Sequence, residues 1–548
     1  MYSQVPLTPL TFLERSAQSF PHKSAIIYSE GVLTFSELLT RTRFLAQVLA
    51  TLKVKKGDRV AVLTENSVQA IEAHFAIPAA KAVLVMLNPW LSETEIVALL
   101  DFSEAKVLIA DVALYQKLTS FNRQRLEGML RVLVINRPGY TLDPGILDYE
   151  SRLFEEAEGC IPLEEGVHSE LDPIAINFTS GTTGSPKGVI YSHRAGYLNA
   201  LGQVLMINLT KESKYLWALP MFHVNGWGHM WACVAVGCTQ IIPASNFTLG
   251  HAEDFISAIK RYQITHFAGA PRLLKMLSDI AYSNDFLRGI SVVTGGSAPS
   301  PILIQKLEKL GVNLIHQYGL SETCGPFVVC EEQEEWGLLS AEARATQRAR
   351  QGTATIHAGT GVRVLGADGK VVPNDGKTLG EVVMAGNTVA IGYYKNPEAT
   401  QKAFRDGWFY SGDMAVVHPD GNLEIRDRIK DLIYVETEYG WENISSIEIE
   451  NVICRNGVFQ DAAVVAISDE SRTDNSPLLV AFVELKDIGQ VSEAEFHAYC
   501  ATELAEYKRP QVVFFEKLPK TNTGKIRKDI LSKDAKNRLN PSLISPSV

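Results

Sequence analysis

The sequence predicts an α/β protein: a large, multi-subdomain N-terminal domain with parallel sheets and a small β-rich subdomain, followed by a small α+β C-terminal domain. Three observations carry this. The chain has 548 residues, and single hydrophobic cores stop growing beyond roughly 250–300 residues, so two or more lobes are expected. Short apolar runs alternate with helical patterns through the first third of the chain. From Gly352 the texture changes to short strands punctuated by Gly, Asp and Pro.

In chain order, residues 60–63 read as a strand, 70–80 as a helix and 82–86 as a strand again. The runs 107–110 and 132–135 continue the series, and 290–293 and 313–316 repeat it later. Strands that alternate with helices build parallel sheets, because each parallel strand needs a crossover to bring the chain back. The runs 361–365, 380–384 and 422–425 mark the β-rich subdomain. Between 444 and 533, strands at 463–466 and 478–482 mix with helical stretches, which gives the α+β domain. The last dozen residues are polar and contain proline, and are expected to fray.

Composition narrows the function classes. The net charge of −10 gives no basic field for nucleic acid, and the basic cluster at 525–528 is too short to change that. The seven cysteines, at 160, 233, 238, 324, 330, 454 and 500, include no C-x-x-C spacing. They read as reduced, mostly buried thiols rather than a zinc knuckle or a disulfide framework. The first ten residues lack the basic and apolar regions of a secretory signal. The most apolar stretch, 231–243, is broken by Gly237, Thr239 and Gln240 and falls short of the ~20 residues that cross a bilayer. The chain closes on ISPSV rather than a Ser-Lys-Leu address. A cytoplasmic protein, monomeric or homodimeric, with no transmembrane segment is expected.

The strongest local signal is the string TSGTTGSPKG at 179–188, which follows the apolar strand 174–178. Glycines let a backbone come close to a ligand and turn its N–H groups inward. Thr and Ser hydroxyls add donors, and Lys187 adds positive charge, so the loop suits a polyphosphate. It is not the Walker A loop, whose G-x-x-x-x-G-K-[ST] string occurs nowhere in the chain.

This string resembles the signature of the adenylate-forming superfamily, which contains acyl-CoA synthetases, adenylation domains and beetle luciferases. In look the chain is closest to the fatty-acid and aromatic-acid acyl-CoA ligases. The likeness extends in order over nearly the whole chain, through PMFHVNGWG at 220–228, GGSAP at 295–299, QYGLSE at 317–322, YSGD at 410–413, DRIKD at 427–431 and LPKTNTGKIR at 518–527. Taken alone, a histidine in an apolar string or a lysine in a basic loop is more simply a core or solvated residue; the series reverses those odds.

The resemblance implies a role for each motif. Thr179, Ser180, Gly181, Thr182, Thr183, Gly184, Lys187 and Ser321 would line the ATP phosphates. His223 would stand between the carboxylate and the phosphates, where a histidine can donate to a carboxylate oxygen. Gly296, Ser297, Ala298, Pro299, Gln317 and Gly319 would border the adenine, with Tyr318 stacked on its face. Asp413 and Arg428 would hold the ribose. Glu322 would bind Mg²⁺, a hard cation that prefers oxygen ligands. Lys430 would be the hinge between a domain at 1–429 and a mobile domain at 430–548. Lys525 would be the catalytic lysine of adenylation, stabilising charge that develops on the α-phosphate. Trp227 resembles the gate tryptophan of fatty-acid members, and with Gly269 in the apolar FAGAP run at 267–271 it suits a fatty or aromatic acid.

The implied reaction uses ATP, Mg²⁺ and coenzyme A to make acyl-AMP and pyrophosphate, then acyl-CoA and AMP. One stretch departs from the pattern. Most relatives read Lys-x-Gly-Gly-Glu after the hinge, whereas residues 434–442 are YVETEYGWE, acidic and aromatic with the single glycine Gly440. Bulk and negative charge there could hinder anionic coenzyme A, so a carrier-protein pantetheine or an amine stands as an alternative acceptor. An inactive nucleotide-binding homologue is the rival from another class.

Overall fold

The computed structural model describes residues 5–143, 145–155, 162–163, 167, 169–179, 187–243, 252–280, 285–429, 431, 433–437, 440–467, 477–486, 491–521 and 525–539. Two large sheets dominate. In the first, six strands run parallel in the spatial order Pro173–Thr179, Val83–Met86, Arg59–Leu63, Ala105–Asp111, Arg131–Ile135 and Leu147–Asp148. Lys187–Ser192 and then Gly392–Tyr393 extend it antiparallel beyond Pro173–Thr179. The second sheet has nine strands; Ser291–Thr294 lies parallel to both His266–Ala268 and Asn313–Leu320, and Gly325–Val329 turns back along the latter.

The alternation read from the sequence is present in this order. The expected helix at 70–80 runs Val68–Ala79, started by the Ser67 hydroxyl, which accepts from Ala70 N–H. It is buried on every face, as are most residues of Val224–Val236. These two helices and Phe35–Thr51 and His193–Met206 join the two sheets through the largest core.

The β-rich subdomain is a five-stranded sheet of Val362–Leu365, Gly380–Met384, Phe404–Arg405, Trp408–Val417 and Leu423–Arg428. It is not self-contained: Gly392–Tyr393, from the same part of the chain, leaves it to pair with Lys187–Ser192. That crossing matters below, because it carries Tyr393 to Lys187 and Glu322.

From residue 433 onward the chain builds two cores of its own around the three-stranded sheet Phe459–Ile467, Leu478–Leu485 and Val512–Phe515. Helices Ser446–Arg455, Glu493–Glu503 and Lys528–Leu539 complete the α+β unit. The atypical 434–442 stretch, expected as a loop, folds as an antiparallel hairpin of Ile433–Thr437 and Gly440–Ile444. The reason is compositional: Ile433, Tyr434, Val435, Thr437 and Trp441 are β-branched or aromatic residues that favour extended pairing. Lys430 lies outside the described residues, as does the final stretch from 540.

Candidate active site

Strands Pro173–Thr179 and Lys187–Ser192 form an antiparallel pair whose last register is Thr179 opposite Lys187. They bring both ends of the Gly-rich loop together; Ser180, Gly181, Thr182, Thr183 and Gly184 themselves lie outside the described residues. The Lys187 ammonium sits 4.9 Å from the Tyr393 ring centroid, within cation–π range. The Tyr393 hydroxyl donates to Glu322 Oε1 at 2.7 Å. Ser321 and Glu322 begin the short 3₁₀ turn Ser321–Thr323 at the end of strand Asn313–Leu320.

The face expected to border adenine is built by the ends of two adjacent parallel strands. After Ser291–Thr294 the chain passes into Gly295 and Gly296, and Gly296 holds the left-handed φ of +84° that favours glycine. Gly296, Ser297 and Ala298 form an exposed rim, and Pro299 turns inward. Opposite, a Cβ on Gly319 would lie 2.1 Å from Gly325 O, so only glycine lets these strands approach. The Gln317 side chain is buried in a reciprocal amide pair with Gln203 (3.1 and 3.4 Å).

Tyr318 donates its hydroxyl to Asp413 Oδ2 at 2.7 Å, and Arg428 Nε lies 2.7 Å from Asp413 Oδ1. Asp413 and Arg428 are register partners on neighbouring strands of the β-rich sheet. Thus three residues from motifs far apart in sequence meet at one carboxylate. Burial, and then the Asp413 charge, push the Tyr318 phenol well above its ordinary pKa, so it stays a donor.

His223 caps helix Val224–Val236, its Nδ1 accepting from the Asn225 N–H at 3.2 Å. An accepting Nδ1 carries no proton, which leaves the hydrogen on Nε2. Burial lowers the imidazole to about 4, and a helix N-terminus further disfavours a cation. The ring is therefore a neutral Nε2–H donor throughout the physiological range. The pH profile of acid-dependent pyrophosphate exchange between pH 6 and 8 should accordingly keep its shape in His223→Gln, while the rate falls by about 10–100-fold. A profile limb near pH 6.5 that vanished with the substitution would contradict this protonation state.

A small cavity of ≈ 30 Å³ lies between these elements, lined by Leu219, Asn225, Ala268, Val293, Gly295 and Gly319 among others. Gly269 follows Ala268 and donates its N–H to Val293 O at 2.9 Å; a Cβ there would meet Leu273 Cδ2 at 3.1 Å. Trp227 is not part of this lining. It is fully buried in the large core, with Tyr191, Trp231 and His74 rings 5.1, 5.7 and 6.4 Å away. Lys525 is exposed; its N–H donates to Thr521 Oγ1 and its carbonyl accepts from Thr521 N–H.

Three contributors escaped the sequence reading: Tyr393, Asn225 and Gln203. Asn225 sits two residues past His223, within the quoted motif, and could have been named from it. Tyr393 and Gln203 reach the site only through tertiary pairing.

A profile of the AMP-binding enzyme family matches residues 13–394, and one of the AMP-binding enzyme C-terminal domain matches residues 448–525. This chain belongs to the AMP-binding enzyme family. Trans-cinnamate:CoA ligase, peroxisomal, of Petunia hybrida is 38% identical over 97% of this chain and 95% of its own length. 4-Hydroxybutyrate–CoA ligase 2 of Metallosphaera sedula is 36% identical over 97% and 95%. The anthranilate CoA ligase AuaEII, solved with anthranoyl-AMP, superposes with a TM-score of 0.83 at 24% identity, covering 99% of this chain and 100% of that one.

The chain is thus an ATP-dependent acid–thiol ligase that activates a carboxylic acid as acyl-AMP and passes the acyl group to a thiol. Its residues fit Mg²⁺. Among the described residues no cluster of three or more His, Cys, Asp or Glu side chains is arranged for a metal. A single carboxylate such as Glu322 would suit Mg²⁺ if phosphate oxygens and water supplied its other ligands. Among the described residues, no helix is long and apolar enough to cross a membrane.

Proposed function

We propose that the enzyme activates a short fatty or single-ring aromatic acid, with coenzyme A as the acceptor. The observation that carries the size is the packing of Trp227, the residue that resembles the gate tryptophan of fatty-acid members: it has no exposed surface and lies among Tyr191 and Trp231. Relatives named for cinnamate, butyrate and 2-methylpropanoate support the same class.

The chain's own residues divide the work. Tyr318 presents a ring face for adenine, while Asp413, held by Tyr318 and Arg428, accepts from the ribose hydroxyls. The rim at Gly296, Ser297, Ala298 and Pro299, with Gln317 and Gly319, borders the base. Thr179 and Lys187, with the rest of the Gly-rich loop and Ser321, receive the phosphates. His223 donates from Nε2 to the acid's carboxylate and fixes its approach to the α-phosphorus. Mg²⁺, held at Glu322, supplies charge neutralisation on the phosphates when bound. Lys525 comes from a C-terminal domain that starts near Lys430 and rotates about it between the two steps.

The test is a pyrophosphate-release panel of short fatty, long fatty, aromatic and hydroxy acids, with and without coenzyme A. Short fatty and single-ring acids should give the highest kcat/KM, and coenzyme A should stimulate AMP release. A preference for long-chain acids would sink the substrate class. Stimulation only by a holo-carrier protein would sink the acceptor, and would implicate the 433–444 hairpin.

A cytoplasmic location is part of this reading. It is supported by Cys233, Cys238, Cys324, Cys330, Cys454 and Cys500, all unpaired, as expected in a reducing compartment. Two relatives are named peroxisomal; punctate co-localisation of the tagged full chain with peroxisomes would displace it.

A further inference from the structure

Tyr393 occupies an unusual junction. It lies in the two-residue strand Gly392–Tyr393, opposite Val189 and only two residues beyond Lys187 in the paired strand. Its ring stands under the Lys187 ammonium at 4.9 Å. Its hydroxyl donates to Glu322 Oε1 at 2.7 Å, across a sequence separation of 71 residues. The same segment also grips the backbone of Glu322, because Ala390 N–H donates to Glu322 O at 2.8 Å. One short segment, 390–393, therefore touches the cationic end of the Gly-rich loop and both the main chain and side chain of Glu322.

The strand is itself held in place. Tyr393 N–H donates to Thr400 Oγ1 at 2.9 Å, the ring meets Phe404 edge-on at 5.7 Å, and only 7% of the residue is exposed. At Gly392, with φ +152°, a Cβ would lie 2.7 Å from Thr400 Cγ2, so the packing admits no larger residue.

Packing alone needs a ring, which phenylalanine would supply. The hydroxyl adds one thing: it fixes Oε1, so the carboxyl group cannot spin and Oε2 keeps a single direction. A cation that takes one protein carboxylate and completes its shell with phosphates and water depends on that orientation. We propose that Tyr393 is a positioning residue that presents the Glu322 carboxylate to the Mg²⁺–triphosphate group while its ring aligns Lys187 on the other side. This rests on the reading of Glu322 as the metal-binding carboxylate.

The experiment is calorimetric titration of ATP into the full-length enzyme over a series of Mg²⁺ concentrations, for wild type, Tyr393→Phe, Glu322→Gln and the double variant. The Mg²⁺ concentration for half-maximal enhancement of ATP affinity should rise about 10-fold or more in Tyr393→Phe, with metal-free ATP affinity as the control for folding. The double variant should match Glu322→Gln, because the hydroxyl acts only through that carboxylate. An unshifted midpoint in Tyr393→Phe, or further weakening when it is added to Glu322→Gln, overturns the proposal. If Glu322→Gln alone leaves the Mg²⁺ dependence intact, the metal role of Glu322 falls, and this inference with it.

Discussion

Replacing Lys525 by alanine should lower acid-dependent pyrophosphate exchange by about 10²–10³-fold, while thioester formation from supplied acyl-AMP and coenzyme A continues. The asymmetry follows from charge. In the first step a carboxylate attacks an α-phosphorus that already carries negative oxygens, so two anions must meet. A compact ammonium aimed at the developing charge lowers that barrier without reorganising. In the second step the electrophile is an acyl carbon and AMP departs, so the same ammonium is not required. Lys525 is exposed beside the Thr521 contacts and the Lys520–Ile526 bridge, on a unit that has its own cores. A unit with its own cores can turn as a body. Exchange at the wild-type rate in Lys525→Ala would remove the lysine from the mechanism. Equal loss in both half-reactions would show that the substitution damages the whole lobe instead.

Much of this architecture was legible because it is local. The run 60–63 and the strand Arg59–Leu63, or 380–384 and Gly380–Met384, coincide because a buried strand, parallel or antiparallel, is a short apolar string. The meeting of Tyr318, Asp413 and Arg428 was legible for another reason: all three sit inside ordered motifs, and the structure brings them to one carboxylate. What escaped is the pairing of residues whose neighbours in sequence say nothing about it. Tyr393 sits in a strand of two residues, too short to show a period, and its partner Glu322 is 71 positions away. Trp227 shows the opposite limit. Its motif points to the acyl site, but with apolar residues all around helix Val224–Val236 no periodicity says which face looks at substrate and which at the core. The 433–444 hairpin was read from its departure in glycine content, whereas its β-branched and aromatic residues govern the backbone.

Arg41→Ala should destabilise the N-terminal lobe by about 3–5 kcal/mol, more than any single change proposed at the active site. Glu72, on helix Val68–Ala79, has no exposed surface. Its carboxylate is met by the Arg41 guanidinium and by the Tyr149 hydroxyl at 2.6 Å. Arg41 also forks onto Glu150 with two contacts of 2.8 Å, so one cation serves helices Phe35–Thr51, Val68–Ala79 and Tyr149–Glu155 together. Without it, a carboxylate stays buried among apolar residues with a single hydroxyl for company. Burial already raises the Glu72 pKa against the opposing pull of Arg41. A raised folded-state pKa means that the folded chain holds the proton more tightly than the unfolded chain. The stability this contributes is present at low pH and is lost as pH rises through the folded value. The deficit of Arg41→Ala should therefore be larger at pH 8 than at pH 5.5, by denaturation midpoint at each pH. Removing both charges in Arg41→Met with Glu72→Leu should recover most of the loss, since a buried pair replaced by apolar groups of similar volume is often neutral or better. If Arg41→Ala costs under about 1 kcal/mol, as an exposed ion pair would, or if its deficit does not grow with pH, then Glu72 is not the isolated charge that the packing makes it.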